Sequence, residues 1–150
     1  MNKMKNSKGF TLMEMLIVVA IIAVLVAIAI PTFTSSLNKA RVAADQANIR
    51  SGYASLMADI LTNQYDVTAG TAANTDPVTY YLQKDGSVAA DKTSAYVCSG
   101  DSAKVNASME IAGITVGAWT PGQVIKYTYT PSNGEANSKV TIAIAAEAKQ

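Results

Sequence analysis

Two hydrophobic periods divide the chain. From Phe10 to Ile30 nearly every position is apolar, with Thr11 and Glu14 as the only interruptions, and Met15 to Ile30 is sixteen apolar residues without a break. A helix over these 21 residues is about 31 Å long at roughly 1.5 Å per residue, matching a hydrocarbon layer of about 30 Å. Beyond Pro31 the apolar residues thin out. Ile49, Tyr53, Leu56, Met57, Ile60 and Leu61 recur at spacings of three and four, which places them on one face of a helix. Lys39, Arg41, Asp45, Arg50 and Asp59 are assigned to the rest of its surface. The pattern predicts one helix from 10 to 65, with Gly52 a tolerated weak point. A kink is expected at Pro31, because proline removes an N–H and crowds the carbonyl of Ala27.

From Asp66 the composition shifts to Thr, Ala, Gly, Asn and Asp, and D-V-T-A-G-T-A-A-N-T-D-P ends the helix. Short strands are predicted at Val78–Leu82 and Val88–Ala90, with K-D-G-S as the tight turn between them. Tyr96–Cys98 is a further candidate, and Met109–Val116 reads as one strand with a bulge at Gly113. Val124–Thr130 and Lys139–Ala145 both alternate, and P-S-N-G-E-A-N-S between them supplies turn residues, which predicts an antiparallel hairpin. Three strands in meander order would then offer one apolar face to the stripe at 49–61. A long helix followed by a small antiparallel sheet is an α+β architecture.

Charge and composition narrow the function. The 150 residues, 49% hydrophobic, amount to one domain with attachments, and the net charge is +1. Lys3, Lys5 and Lys8 all precede the apolar block. Setting these three aside leaves nine basic against eleven acidic residues, so the remainder has no electrostatic footprint for nucleic acid. Lysines on the N-terminal side alone predict that this end stays cytoplasmic while the C-terminal bulk is moved outside. There is no histidine, and Cys98 is the single cysteine. No disulfide can close within one chain, and Cys98 reads as a small buried hydrophobe. Asp85, Asp91 and Asp101 lack the spacing of a calcium loop. Trp119, beside T-P-G-Q, reads as a packing residue rather than an exposed binding aromatic. Asn106-Ala107-Ser108 matches a glycosylation sequon and carries little weight. No catalytic constellation, metal site or cofactor motif emerges, and an enzyme is not expected.

Glu14 is the only formally charged residue between Lys8 and Lys39, at a depth where charges are costly and usually paired. A secretory signal peptide has an apolar stretch of about 7–15 residues, shorter than this one. A plain uncleaved anchor explains the lysines and the length but not Glu14. A positive group at the same depth would satisfy the carboxylate, either a leader lysine or an α-amino group made by cutting the chain before Phe10. Gly9 suits such a cut, having no side chain to obstruct a protease.

K-G-F-T-L-M-E, followed by an apolar stretch and then Pro31, closely resembles the processing motif of type IV pilins and their pseudopilin relatives. The resemblance covers residues 3–33. It implies a leader peptide at 1–9, removed after Gly9 by a membrane-embedded aspartic prepilin peptidase that also N-methylates Phe10. It implies a transmembrane and filament-core helix at 10–33, an amphipathic half at 34–65 that packs on the head, and a β-rich head at 66–150, the lollipop form of pilins. Phe10 and Glu14 become the assembly residues, the carboxylate pairing with the N-terminal amine of a neighbouring subunit, and Pro31 the helix kink. The implied partners are identical subunits in a helical filament, the inner-membrane assembly platform and a cytoplasmic ATPase. The implied location is the cytoplasmic membrane and then the extracellular pilus, serving motility, adhesion or DNA uptake. Many relatives carry a helix-breaking glycine eight residues before the proline; here Ala23 stands there, which puts melting between Ala23 and Pro31 in doubt. The absence of a disulfide leans toward a major pilin of Gram-positive type. The alternatives are a pseudopilin of a type II-like secretion or competence system, or an uncleaved membrane-anchored adhesion module.

Overall fold

The computed structural model describes residues 9–62, 77–130 and 139–146. The predicted leader up to Lys8, the last predicted helical residues at 63–65, the linker up to Asp76 and the turn at 131–138 lie outside the described residues. The chain divides into two units, Met1–Leu37 and Asn38–Gln150.

The first unit is helical from Leu12, as part of α1 (Leu12–Leu61). Its large apolar side chains from Phe10 to Phe33 are all exposed, and the helix is long and apolar enough to cross a membrane. The helix is unbroken through Ala23 and Pro31. Pro31 has no N–H for the carbonyl of Ala27. Nearby hydroxyls turn back onto the backbone, Thr32 Oγ1 donating to the carbonyl of Ile28 at 3.2 Å and Thr34 Oγ1 to that of Pro31 at 2.9 Å.

In the second unit α1 buries Val42, Asp45, Ile49, Gly52 and Leu56, at alternating spacings of three and four that keep them on one stripe. Tyr53, Met57 and Ile60 pack partly buried beside it. Two assignments from the pattern fail here. Asp45, placed on the surface, is fully buried, and Leu61, placed on the apolar face, is exposed.

Strands β1 (Val78–Leu82), β2 (Val88–Ala89), β5 (Gln123–Thr130) and β6 (Lys139–Ala146) form an antiparallel sheet in the order β2-β1-β5-β6. The expected meander is therefore replaced by two hairpins joined through the β1–β5 pair, in which Tyr80 faces Tyr127 and Val78 faces Tyr129. The predicted β5–β6 hairpin is present, with Tyr127 opposite Ile142 and Tyr129 opposite Val140. Alternation puts Tyr80, Leu82, Ile125, Tyr127, Tyr129 and Ile142 in the same core cluster as the helix stripe. Tyr127 marks the join, its hydroxyl donating to the carbonyl of Ile49 at 2.8 Å. The turn before β2 is as predicted: the Gly86 N–H donates to the carbonyl of Gln83, and Asp85 Oδ1 accepts from the Ser87 N–H and hydroxyl.

Met109–Val116 is not one bulged strand. It is a separate hairpin of β3 (Met109–Ile111) and β4 (Ile114–Val116). Ala112 and Gly113 have φ of 50° and 81°, and two left-handed residues in succession make the tight reversal of a type I′ turn. Tyr96–Cys98 forms no strand either. That stretch is held by isolated bridges, Gln83 with Ala95 and Val97 with Val124.

Candidate processing and assembly site

The residues that matter first are those at the start of α1. Gly9 and Phe10 are non-helical and exposed, and helix begins at Leu12. Thr11 is the residue that starts it. Its carbonyl accepts the Met15 N–H at 3.3 Å, the first intrahelical bond. Its hydroxyl accepts the Glu14 N–H at 3.3 Å, while Glu14 Oε2 accepts from the Thr11 N–H and the Thr11 hydroxyl, both at 2.8 Å. This is a capping box, two backbone N–H groups satisfied reciprocally by side chains three residues apart. T-L-M-E ahead of an apolar run is its sequence signature. The signal is legible in the sequence, in the spacing of Thr11 and Glu14 rather than in the charge.

The box changes what Glu14 needs. Its Oε2 is already held by the chain's own N-terminal turn, and Oε1 takes no hydrogen bond among the described residues. No lysine or arginine among them pairs with it. The carboxylate thus has one oxygen fixed in place and one open.

Gly9 is open in a different sense. A Cβ built there would meet nothing within 4 Å, and its φ lies outside the left-handed range. Nothing in the described fold requires glycine at that position.

A second constellation went unseen in the sequence. Asp45 Oδ1 accepts the Tyr96 hydroxyl at 2.7 Å, the Ser99 N–H at 3.2 Å and the Ser99 hydroxyl at 3.4 Å. Its Oδ2 accepts the Gly100 N–H at 2.8 Å and the Trp119 indole N–H at 2.9 Å. Five donors replace water around a carboxylate whose exposure is 0%, and hydrogen bonds to an ionised acceptor are the strong kind. The residue fastens the helix to two separate loops. Gly100 comes so near that a Cβ would sit 2.6 Å from the Val42 backbone N. Asn38 extends the fastening, donating from Nδ2 to the Asp101 carbonyl and accepting the Asp101 N–H on Oδ1. Ser102 Oγ accepts the Trp119 N–H at 2.8 Å.

Trp119 is thus a packing residue, as expected, and so is Cys98, which is buried. Burial, and then proximity to Asp45, raise the Cys98 thiol to about 12 and keep it protonated. Asp85, Asp91 and Asp101 are used locally, accepting from Ser87, Thr93 and Lys104. Among the described residues no group of acids and cysteines is arranged to hold a metal.

A capped apolar helix, with an exposed Gly9–Phe10 peptide before it and an antiparallel sheet after it, makes an α+β fold. Residues 4–30 match the family model described as the prokaryotic N-terminal methylation motif. Curated relatives carry the names of pilus or fimbrial proteins. Over 52 residues, 33% of this chain and 45% of the relative, the chain is 53% identical to the "type IV narrow pilus major component PilA5" of Thermus thermophilus. It is 36% identical over 95 residues to a "fimbrial protein" of Dichelobacter nodosus, 59% of each chain. Over 37 residues, 25% of this chain and 28% of the relative, it is 54% identical to the "type IV wide pilus major component PilA4" of Thermus thermophilus. The chain therefore spans between 28% and 59% of the length of these curated relatives. No solved structure matches it. Nothing in these relatives supports the expected Gram-positive type.

Proposed function

We propose that the chain is a structural subunit of a type IV pilus and not an enzyme. The leader at 1–9 is cut after Gly9 by a prepilin peptidase, the new Phe10 amine is methylated, and the helix from Phe10 is drawn from the cytoplasmic membrane into a filament of identical subunits. The observation that carries this is the start of α1. A glycine that the described fold does not require precedes an exposed apolar helix, whose only charge before Lys39 keeps one carboxylate oxygen open. A requirement for glycine that is absent inside the chain is naturally placed outside it, in the peptidase that reads it.

Burial of helix surface against neighbours supplies about 25 cal/mol per Å² where water would otherwise be met. In lipid the gain is small, since tails are as apolar as leucine. Extraction therefore needs work from outside, which a cytoplasmic ATPase acting through an inner-membrane platform would supply. Inside the filament Oε1 of Glu14 meets the Phe10 amine of a neighbour, where screening is far weaker than in water. Ion pairs in apolar surroundings give little net stability, so the pair acts mainly as an axial register. Pro31, with the orphaned Ala27 carbonyl before it, lets the helix bend as it is packed. The relatives named are pilus components, which favours a pilus over a secretion pseudopilus. Motility, adhesion and DNA uptake are properties of the assembled fibre.

Mass spectrometry of the mature chain is the direct test: a methylated Phe10 terminus is expected, and an intact Met1 would overturn the processing. Glu14→Ala should give a cleaved, membrane-resident chain that enters sheared fibres poorly, and normal fibre yield would remove the register role.

A further inference from the structure

We propose that Thr11 is a positioning residue for leader removal: by capping α1 at Leu12 it keeps the Gly9–Phe10 peptide out of the helix, as free backbone that a peptidase can engage. The inference rests on the processing reading above and adds a residue to it.

The argument starts from the orphan N–H groups at a helix start. With Thr11 as the cap, the Glu14 N–H is satisfied by the Thr11 hydroxyl and the Thr11 N–H by Glu14 Oε2. Helix has no reason to grow further back. Remove the hydroxyl and the Glu14 N–H loses its partner, and where the helix enters hydrocarbon an unsatisfied backbone group is expensive. The remedy nearest to hand is one more turn. In an extended α1 the Met13 and Glu14 N–H groups would bond four residues back, to the carbonyls of Gly9 and Phe10. The first of these is the carbonyl of the bond to be cut.

Hydrolysis adds water to the Gly9 carbonyl carbon and breaks its bond to the Phe10 nitrogen, leaving the Gly9 carboxylate and a protonated Phe10 amine. A carbonyl bonded along a helix axis is turned away from such an attack, and peptide binding as an extended strand needs free N–H and C=O groups. Gly9 opposes helix growth on its own account, since glycine is a poor helix residue. Thr11 adds to that resistance from the other side of the cut. Glu14 need not be charged for this, because Thr11 Oγ1 accepts from the Glu14 backbone N–H.

The test uses the full-length precursor in lipid vesicles with purified prepilin peptidase, and compares the parent with Thr11→Ser, Thr11→Val and Thr11→Ala. Serine caps as threonine does, valine keeps the shape without the hydroxyl, and alanine removes the cap and favours helix. Losing a cap typically shifts a helix-end equilibrium about fivefold. The expected result is parent-like cleavage for serine and about fivefold slower cleavage for valine and alanine. Carbonyl chemical shifts of Gly9 and Phe10 in the same vesicles should turn helical in the two slow variants only. Equal cleavage rates for parent and Thr11→Ala would overturn the inference. So would parent-like cleavage of Thr11→Val with slow cleavage of Thr11→Ser, since that pattern reports direct contact of the side chain with the peptidase. A parent chain left whole would overturn the processing reading itself, and this inference with it.

Discussion

Asp45 ties the helix to two loops of the C-terminal unit through five hydrogen bonds. Tyr96 and Ser99 donate to one carboxylate oxygen, Gly100 and Trp119 to the other. An Asp45→Asn amide cannot keep all five bonds: turned one way its NH₂ meets the Gly100 and Trp119 N–H groups, and turned the other it meets the Ser99 N–H, even with the Tyr96 and Ser99 hydroxyls rotated to accept. The expected cost is about 3 kcal/mol, since each buried donor left unpaired costs about 1–3 kcal/mol. Fluorescence of Trp119, the one tryptophan of the chain, reads this directly in denaturant titrations of the full chain in detergent. A midpoint unchanged from the parent would show that water can replace the carboxylate. The residue was misplaced from sequence for a clear reason. It lies on the stripe, four residues before Ile49, but an acid on an apolar stripe is assigned to solvent unless its donors are known. Those donors are 51 to 74 residues away.

Among the elements, α1 shows most sharply how packing overrides local preference. By propensity alone Gly52→Ala should stabilise a helix by about 1 kcal/mol. The fold reverses the sign. A Cβ at Gly52 would lie 2.6 Å from both Leu82 Cδ1 and Tyr127 Oη, and Tyr127 cannot retreat without loosening its hydrogen bond to the Ile49 carbonyl. Overpacking of this kind costs roughly 1–3 kcal/mol, so net destabilisation of about 1 kcal/mol is expected. Thermal melts followed by Trp119 fluorescence should show a lower midpoint, and a raised one would mean the sheet yields more readily than its contacts suggest. The β3–β4 hairpin teaches a related lesson. I-A-G-I reads as a strand with a bulge when alanine is assumed to avoid left-handed φ, yet Ala112 adopts it.

At the scale of the whole molecule, the C-terminal unit stands without a disulfide and with an interior of aromatic and aliphatic side chains. That interior fixes an alkaline limit. Burial raises Cys98 from 9.0 to about 12 and, with the bond to Asp45 adding to it, Tyr96 from 10.0 to about 12. Tyr80 and Tyr127 are raised too, desolvation again the leading cause. The folded chain thus holds protons that the unfolded chain releases, so stability is complete below about pH 9 and falls as pH rises toward 12. Unfolding midpoints from Trp119 fluorescence should drop through this window, with the Cys98 thiol resisting alkylation until they do. A midpoint independent of pH across it would contradict the burial of these groups.

The sequence by itself determined the long apolar helix, the motif at Gly9–Glu14 and the last two strands, β5 and β6. Each of these is written in neighbouring residues, as a run, a period of two or a fixed spacing. Even the capping box belongs with them, since Thr11 and Glu14 are three residues apart. Only the tertiary structure decided the sheet order, the separate β3–β4 hairpin, the burial of Asp45 and the need for glycine at position 52. Those depend on which distant groups arrive at the same place, and a buried carboxylate or a missing Cβ has no local signature until its neighbours are in position.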